Sequence, residues 1–287
     1  MGVAVVTDST AMLPAELASS LGITVVPVHV VIDGEELEDG AEGTTPADIA
    51  AALEAKRTVS TSRPAPAALA ALYDALAAAG ATEIVSVHLS GAMSGTFESA
   101  QLAARTAPVP VVTLDTLAVG PCLGFAAQAA AAAAAAGASA VEAAAAAMDR
   151  ANASTSYFYV DTLEFLRRGG RIGAAAALVG SALAVKPLLA IEDGRVVARE
   201  RVRTSARALA RLEELALEAA DDRSVEVAVA HLRSEERAAA LADHLTERLA
   251  AALAEPIRTG ELGAALGAHV GPGMLAVCVA PAITPVA

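Results

Sequence analysis

Hydroxyl side chains are concentrated in residues 87–100, VHLSGAMSGTFESA. Ser90, Ser94 and Thr96 follow the apolar end of a predicted strand, and a predicted helix begins beside Thr96. The free backbone N–H groups at a helix start, together with hydroxyls, can bind a carboxylate or a phosphate. This segment therefore predicts anion binding, although an ordinary helix cap uses the same residue types.

A second group of hydroxyls, Thr61 and Ser62, precedes a helix that we expect Pro64 to open. Both groups follow strand-like runs, and parallel sheets bind ligands at the carboxyl ends of their strands. Two helix starts at the same edge of a sheet would form a cradle for one anion. The alternative is two separate helix caps.

A nucleophilic role for Ser94 is another interpretation of the same segment. Serine hydrolases often carry the pattern Gly-x-Ser-x-Gly after a strand, whereas GAMSG places its serine one position too late. His88 or His269, with Asp8 or Asp115, could still complete a catalytic triad in space. A Ser94-dependent acyl hydrolase therefore stays open as an alternative.

Motifs for cofactors and metals are missing from the sequence. The lysines, Lys56 and Lys186, follow alanine and valine, so neither completes a Walker A loop. Residues 271–276, GPGMLA, match the loose dinucleotide pattern, but a strand-like run follows where a helix is required. The histidines show no metal-ligand spacing, and Cys122 and Cys278 lie too far apart in sequence to indicate a disulfide framework. We expect no cofactor and no metal.

Alanine dominates the composition, in which 55% of 287 residues are hydrophobic. The longest apolar stretch, residues 124–148, contains Gln128 and Glu142 and almost no leucine or isoleucine. Such a stretch is typical of two packed helices in a soluble protein and not of a membrane span. The chain opens directly on a strand-like run, so we expect a cytoplasmic protein with at most transient membrane contact.

The net charge of −13 argues against general nucleic-acid binding, which needs a basic surface. Residues 167–211 are nevertheless basic, with ten of the 20 Lys and Arg residues and a net charge of +7. This basic block could bind an anionic ligand or an acidic partner, or it could be a solvated helix face. A small-anion-binding sensor that recruits a partner through the basic block is therefore a third interpretation.

Strand-like runs alternate with helical patterns in the first half of the chain, which predicts an α/β domain with a largely parallel sheet. An aromatic-rich segment, residues 151–173, marks the predicted boundary between an N-terminal domain, 1–155, and a C-terminal domain, 156–287. The second half contains a predicted hairpin that turns at Asp193 and Gly194. We therefore expect two α/β domains.

Seven segments, in order along the chain, resemble the DegV family, which includes the FakB fatty-acid-binding subunits of bacterial fatty acid kinase. They are VTDSTAMLP, VVPVHVVIDG, TSRPAP, VHLSGAMSGTFESA, VDTLEFLRRGGRIG, LAVKPLLAIEDG with RVRT after it, and HVGPG. The number and order of these segments make the resemblance specific. It implies a fold of two α/β domains that hold one long-chain fatty acid between them.

The resemblance also implies which residues hold the carboxylate of that fatty acid. They are the hydroxyl residues Thr61, Ser62, Ser90 and Ser94, with His269 nearby. In FakB proteins a separate ATP-dependent kinase phosphorylates the bound acid, so this chain would be a lipid carrier without catalytic activity of its own. Its role would lie in fatty acid metabolism and phospholipid synthesis.

The apolar part of such a site would come from small side chains in the second half, such as residues 174–185, AAAALVGSALAV. A close-packed helix is the alternative interpretation of that stretch. We hypothesise that Arg171, Arg201 and Arg203 of the basic block border the site or its approach. There they would hold an acyl phosphate or dock the kinase.

Overall fold

The protein has a layered α/β fold, and the computed structural model describes residues 2–40, 43–178 and 186–283. The strands in these ranges are β1 (Val3–Asp8), β2 (Ile23–Val26), β3 (His29–Ile32), β4 (Glu35–Glu38), β5 (Val59–Ser62), β6 (Glu83–His88), β7 (Val111–Asp115), β8 (Thr155–Tyr159), β9 (Lys186–Glu192), β10 (Arg195–Val202), β11 (Val225–His231), β12 (Arg258–Glu261) and β13 (Leu275–Pro281). The helices are α1 (Ala15–Ser20), α2 (Pro46–Glu54), α3 (Pro66–Ala78), α4 (Thr96–Ala104), α5 (Pro121–Ala135), α6 (Ala140–Ala153), α7 (Glu164–Arg168), α8 (Ser205–Ala220), α9 (Glu235–Arg248) and α10 (Ala264–Val270). Short 3₁₀ helices cover Ser9–Ala11 and Gly173–Leu178.

These strands form three sheets. A parallel sheet in the first half has the order β2-β1-β6-β7. A six-stranded sheet in the second half has the order β10-β9-β8-β13-β11-β12, and its pairs are antiparallel except for β11 with β12. A small antiparallel sheet has the order β4-β3-β5. The predicted α/β fold is confirmed, and the largely parallel sheet is that of the first half.

The alanine-rich helices α5 and α6 lie between the two large sheets. They contact the parallel sheet through β1, β6 and β7, and the six-stranded sheet through β13. Ala126, Ala130 and Ala143 belong to one buried cluster with Ala228 and Ala280 of the six-stranded sheet. A helix covered on two sides must be apolar around most of its circumference, and small side chains let both sheets approach it closely. The predicted pair of packed helices is confirmed, and its position explains the alanine content.

Larger apolar side chains pack on the outer faces of both sheets. Helices α3 and α4 cover the parallel sheet, where Leu69 and Tyr73 pack with Ile84. Helices α8 and α9 cover the six-stranded sheet, where Leu212 packs in one cluster with Val277. The layers therefore follow the order helix, sheet, helix, sheet, helix.

The helix start expected directly after Thr61 and Ser62 is wrong. These two residues end β5, which pairs with β3 in the small antiparallel sheet, and α3 begins only at Pro66. The sequence suggested a helix because two prolines, Pro64 and Pro66, follow in succession. The hydroxyls of Thr61 and Ser62 are thus carried by a strand, and only the helix start at Thr96 is present as expected.

The predicted hairpin between β9 and β10 is confirmed. Its turn residues, Asp193 and Gly194, have φ values of 48° and 72°, as the two-residue type I′ turn requires. A second Asp-Gly turn, at Asp33 and Gly34, joins β3 to β4 with φ values of 51° and 91°. The domain division after residue 155 stays a prediction, because α5 and α6 pack on both large sheets.

Candidate functional site

An apolar cavity lies between the inner face of the six-stranded sheet and the loops and small sheet of the first half. The empty space within it and at its open mouth is about 900 Å³. Phe158 of β8 and Ala276 and Cys278 of β13 form one wall, and α10 contributes Ala265 and Leu266. Walls of this composition suit an apolar ligand.

Polar side chains meet at one end of this cavity. The lining residues there are Thr61, Ser62, Ser94, Arg171 and His269. Thr61 Oγ1 lies 2.9 Å from His269 Nε2, which joins β5 to α10. Arg171 Nε donates to the backbone carbonyl of Met93 at 2.9 Å and thereby places the guanidinium beside Ser94. The fold thus brings these five predicted site residues together from four separate parts of the chain.

His269 is uncharged at neutral pH. It lies in the last turn of α10, and its Nδ1 atom is buried against Gly169, where an added Cβ would overlap the ring. Burial and, second, the positive charge of Arg171 lower the pKa of His269 to about 4. The ring therefore acts as a neutral hydrogen-bonding group, and the positive charge at this end of the cavity is that of Arg171.

The Arg171 side chain is held in place by backbone carbonyls. Besides its bond to Met93, its Nη1 atom donates to the carbonyl of Gly169 at 2.7 Å. No ion pair between residues 2–40, 43–178 and 186–283 involves Arg171. Carbonyl partners fix the guanidinium without neutralising it, which leaves its charge available to an anion.

Ser62 and Ser90 have hydrogen-bond partners that compete with a ligand. The Ser62 hydroxyl donates to the carboxylate of Glu36 on β4. Ser90 is fully buried and does not line the cavity, because its hydroxyl donates to the carbonyl of Gly194 at 2.8 Å and accepts from the N–H of Ala92 at 3.2 Å. The structure therefore places Ser90 at a contact between the two halves of the chain.

Ser94 is not activated by either histidine. Its Oγ atom lies 2.9 Å from Thr96 Oγ1 and accepts from the N–H of Thr96 at 3.3 Å. His88 instead contacts Asp8 and Ser86, and His269 contacts Thr61. A base within hydrogen-bond reach of the nucleophile is what a serine hydrolase needs. The described contacts thus give the hydrolase interpretation no support.

A buried hydrogen-bond network behind the cavity was not predicted from the sequence. His88 Nδ1 lies 3.0 Å from Asp8 Oδ2, and His88 Nε2 lies 2.8 Å from Ser86 Oγ, which also accepts from Tyr73. Ser86, His88 and Asp8 have the contacts of a catalytic triad, yet each of the three is fully buried. No substrate can reach a serine in this position, so the network is structural.

Asp8 connects this network to the cavity. Its carboxylate accepts from the N–H and hydroxyl of Thr10, which lines the cavity, and from the N–H of Leu89. It therefore fixes the loop after β1 to the loop after β6. An aspartate two residues before a threonine at a strand end is a recognisable capping pattern, and this signal could have identified Thr10 from the sequence.

Among the described residues, four of the ten basic side chains of the block pair with carboxylates: Arg168, Lys186, Arg199 and Arg211. Arg211 contacts Glu200, Glu214 and Glu218 at 2.8–2.9 Å, which raises the pKa of Arg211. Arg201 and Arg203 are exposed on and just after β10, and neither lines the cavity. The structure thus separates them from Arg171, which does.

Neither a metal centre nor a membrane span is found in the described part of the chain. Among its residues, no group of three or more His, Cys, Asp or Glu side chains could hold a metal ion. None of its helices is long and apolar enough to cross a membrane. Of the predicted tunnel wall, residues 174–178 belong to a 3₁₀ helix, and residues 179–185 lie outside the described ranges.

The protein is thus a layered α/β protein in which alanine-rich helices lie between a parallel and a mixed sheet, with an apolar cavity against the mixed sheet. The model of the family described as "Uncharacterised protein, DegV family" matches residues 2–282. A DegV domain-containing protein of Streptomyces coelicolor is 52% identical over 277 residues, which are 96% of this chain and 98% of the relative. This chain therefore belongs to the DegV family, and the resemblance found in the sequence is confirmed.

Solved structures of DegV proteins share the whole fold. A fatty-acid-binding DegV family protein from Thermus thermophilus aligns with a TM-score of 0.90 at 33% identity and covers 98% of this chain and 100% of its own. DegV from Bacillus subtilis, a fatty acid binding protein, aligns with a TM-score of 0.89 at 31% identity over the same shares of both chains. The structural neighbours of this protein thus include fatty-acid-binding members of the family.

Proposed function

We propose that the protein binds one long-chain fatty acid in the cavity, with the carboxylate at the polar end and the acyl chain along the apolar walls. The observation that carries this proposal is an apolar cavity with Thr61, Ser94, His269 and Arg171 gathered at one end. The fatty-acid-binding relatives from Thermus thermophilus and Bacillus subtilis support the same class of ligand.

The chemistry of the polar end suits a carboxylate. His269 Nδ1 has no partner among the described residues, so a proton there would be a buried donor without an acceptor, which is costly. With the proton on Nε2, His269 donates to Thr61 Oγ1, and the Thr61 hydroxyl proton is free to point at a ligand oxygen. Thr61, Ser94 and the guanidinium of Arg171 then supply donors and one positive charge to the anion.

Most of the affinity would come from the apolar walls. A buried methylene contributes about 0.8 kcal/mol, so about fifteen of them contribute on the order of 12 kcal/mol before the costs of ordering are subtracted. The polar end contributes less, since hydrogen bonds to charged groups are worth about 1.5–3 kcal/mol each. Its role is therefore to fix which end of the lipid lies beside Arg171.

In this proposal the protein carries the lipid and does not transform it. A separate ATP-dependent fatty acid kinase would phosphorylate the bound acid, as the resemblance to FakB subunits implies. Two features support a carrier: Ser94 contacts no histidine, and the buried triad-like network is closed to substrates. Exposed arginines of the basic block, including Arg201 and Arg203, offer a surface for the partner.

The first experiment is to purify the protein, denature it and identify extracted lipids by mass spectrometry. We expect about one equivalent of a long-chain fatty acid. Binding of oleate to delipidated protein then tests the polar end. Thr61→Val or Ser94→Ala should weaken binding about 10- to 100-fold, because each removes a hydrogen bond to a charged group.

Ser60→Ala is the matched control for these variants. Ser60 lies beside Thr61 on β5, is exposed and does not line the cavity. The Ser60→Ala variant should therefore bind oleate with the wild-type affinity. Protein that is empty after purification and takes up neither palmitate nor oleate would contradict the proposed function.

A further inference from the structure

Two cysteines that are far apart in sequence meet beside the cavity. Cys122 is the second residue of α5, Cys278 lies in the middle of β13, and both side chains belong to one buried cluster. Both thiols also converge on the start of β8, with Cys122 Sγ 3.6 Å from the carbonyl of Thr155 and Cys278 Sγ 3.5 Å from Ser156 Oγ. Both are buried and free.

Cys278 faces the cavity at the end remote from His269. Met274, Ala276 and Cys278 line the cavity as alternate residues along one strand direction, and Met274 follows closely after α10, which carries His269. A strand rises about 3.3 Å per residue, so Cys278 lies about 13 Å beyond Met274. A small molecule that enters the empty cavity can therefore reach the sulfur, although the protein surface hides it.

The pairing prepares one sulfur for oxidation. The neighbouring Cys122 thiol lowers the pKa of Cys278, whereas the Cys278 thiol, together with burial, raises the pKa of Cys122. The thiolate is the form of cysteine that reacts with peroxides, and oxidation-sensitive cysteines commonly have a second thiol beside them. An isolated buried cysteine would serve only as a small apolar residue, but here a second thiol lies in the same buried cluster.

We propose that Cys122 and Cys278 are a peroxide-sensitive thiol pair that forms a disulfide when the cavity is empty. The Cys278 thiolate attacks one oxygen of hydrogen peroxide, the O–O bond breaks, and Cys278 becomes a sulfenic acid as hydroxide leaves and is protonated. The Cys122 sulfur then loses its proton and attacks the Cys278 sulfur, which forms the S–S bond and releases the second oxygen as water. Two thiols are oxidised, and one peroxide is reduced to two waters.

The disulfide would join α5, in the layer between the sheets, to β13 of the six-stranded sheet. An acyl chain in the cavity would cover Cys278 and block the route of the peroxide. This protective effect rests on the proposed function, whereas disulfide formation itself rests only on the shared buried cluster of the two thiols and on the position of Cys278 in the cavity wall. The two parts can therefore fail separately.

The test is treatment of delipidated, folded protein with hydrogen peroxide, followed by thiol titration under denaturing conditions and intact-mass measurement. We expect both thiols to be lost, with a mass decrease of two hydrogen atoms that a reductant reverses. Neither Cys122→Ser nor Cys278→Ser should show this decrease. Retention of both thiols in the folded wild-type protein would overturn the proposal.

Oleate provides the second arm of the experiment. Protein saturated with oleate should lose its thiols severalfold more slowly than empty protein, and Cys122→Ser should bind oleate like the wild type. Equal rates with and without bound oleate would overturn the route through the cavity. A failure to bind oleate at all would count against the proposed function, while the disulfide in empty protein would still stand.

Discussion

Thr61 and His269 form the contact that organises the polar end of the cavity. The resemblance of TSRPAP and HVGPG to family segments indicated both residues, but it gave no information on protonation. The structure supplies that information, because a ring buried against Gly169 and close to Arg171 must stay neutral. The folded protein therefore excludes a proton that the unfolded chain would bind.

This exclusion predicts a loss of stability in mild acid. The pKa of His269 falls from an ordinary value of 6.5 to about 4 on folding, so the unfolded state binds more protons between these two pH values and stability declines as the pH falls through them. Between pH 7.5 and pH 5 the wild type should lose about 2 kcal/mol more unfolding free energy than His269→Gln. Urea unfolding of delipidated protein at both pH values measures the difference, and equal losses would contradict the prediction.

Among the structural elements, the hairpin between β9 and β10 has a role beyond joining two strands. Its turn residue Gly194 presses against Ser90, and an added Cβ there would overlap Ser90 Oγ. Ser90 in turn donates to the carbonyl of Gly194 at 2.8 Å. The turn of one sheet is thus fastened to the loop that precedes α4 in the other half of the chain.

Gly194→Ala should therefore be more destabilising than a turn substitution normally is. The new methyl group costs about 1–2 kcal/mol because of the positive φ, and displacement of Ser90 adds about 1–3 kcal/mol. Gly34→Ala is the matched control, since Gly34 occupies the same place in the other Asp-Gly turn with nothing within 4 Å of its Cβ position. Denaturant unfolding should show that Gly194→Ala loses more unfolding free energy than Gly34→Ala. Equal losses in the two variants would mean that the Ser90 contact does not add to the cost of the substitution.

Local sequence signals predicted the elements well and the long-range contacts poorly. The hairpin at Asp193 and Gly194 and the paired alanine-rich helices were predicted because turn residues and composition act over short distances. The strand that carries Thr61 was missed because four residues, VSTS, give a weak signal beside two prolines. The bond from Ser90 to Gly194 spans 104 positions, and no local pattern reports such a contact.

For the molecule as a whole, charge is distributed unevenly between the interior and the surface. Between α6 and β11, Arg150 and Glu226 form a largely buried ion pair at 2.7 Å, and Arg258 joins it at 3.3 Å. On the surface, Arg201 and Arg203 have no ion-pair partner among the described residues. A chain with a net charge of −13 thus keeps exposed positive charge in one region.

If this region docks the proposed kinase, charge reversal there should separate lipid binding from lipid phosphorylation. The double variant Arg201→Glu with Arg203→Glu should bind oleate like the wild type, because neither residue lines the cavity. Acyl phosphate formation with a purified ATP-dependent fatty acid kinase should fall about tenfold or more, since charge complementarity governs association rates.

Arg223→Glu serves as the matched control, because Arg223 is exposed but lies outside the basic block. It should leave acyl phosphate formation unchanged. If the double variant supports the same rate as this control, the kinase does not dock on Arg201 and Arg203.

The cavity takes its walls from the six-stranded sheet, the small sheet and the loops that follow the strands of the parallel sheet, so its occupant touches parts of the chain that otherwise pack in separate clusters. Under the proposed function, each bound lipid stabilises the fold by RT ln(1 + [L]/Kd), or about 2.7 kcal/mol at a hundredfold excess over Kd. The melting temperature would then report how much fatty acid is available. Empty copies would be the ones that cellular proteases degrade first, so the abundance of the protein would follow its lipid supply.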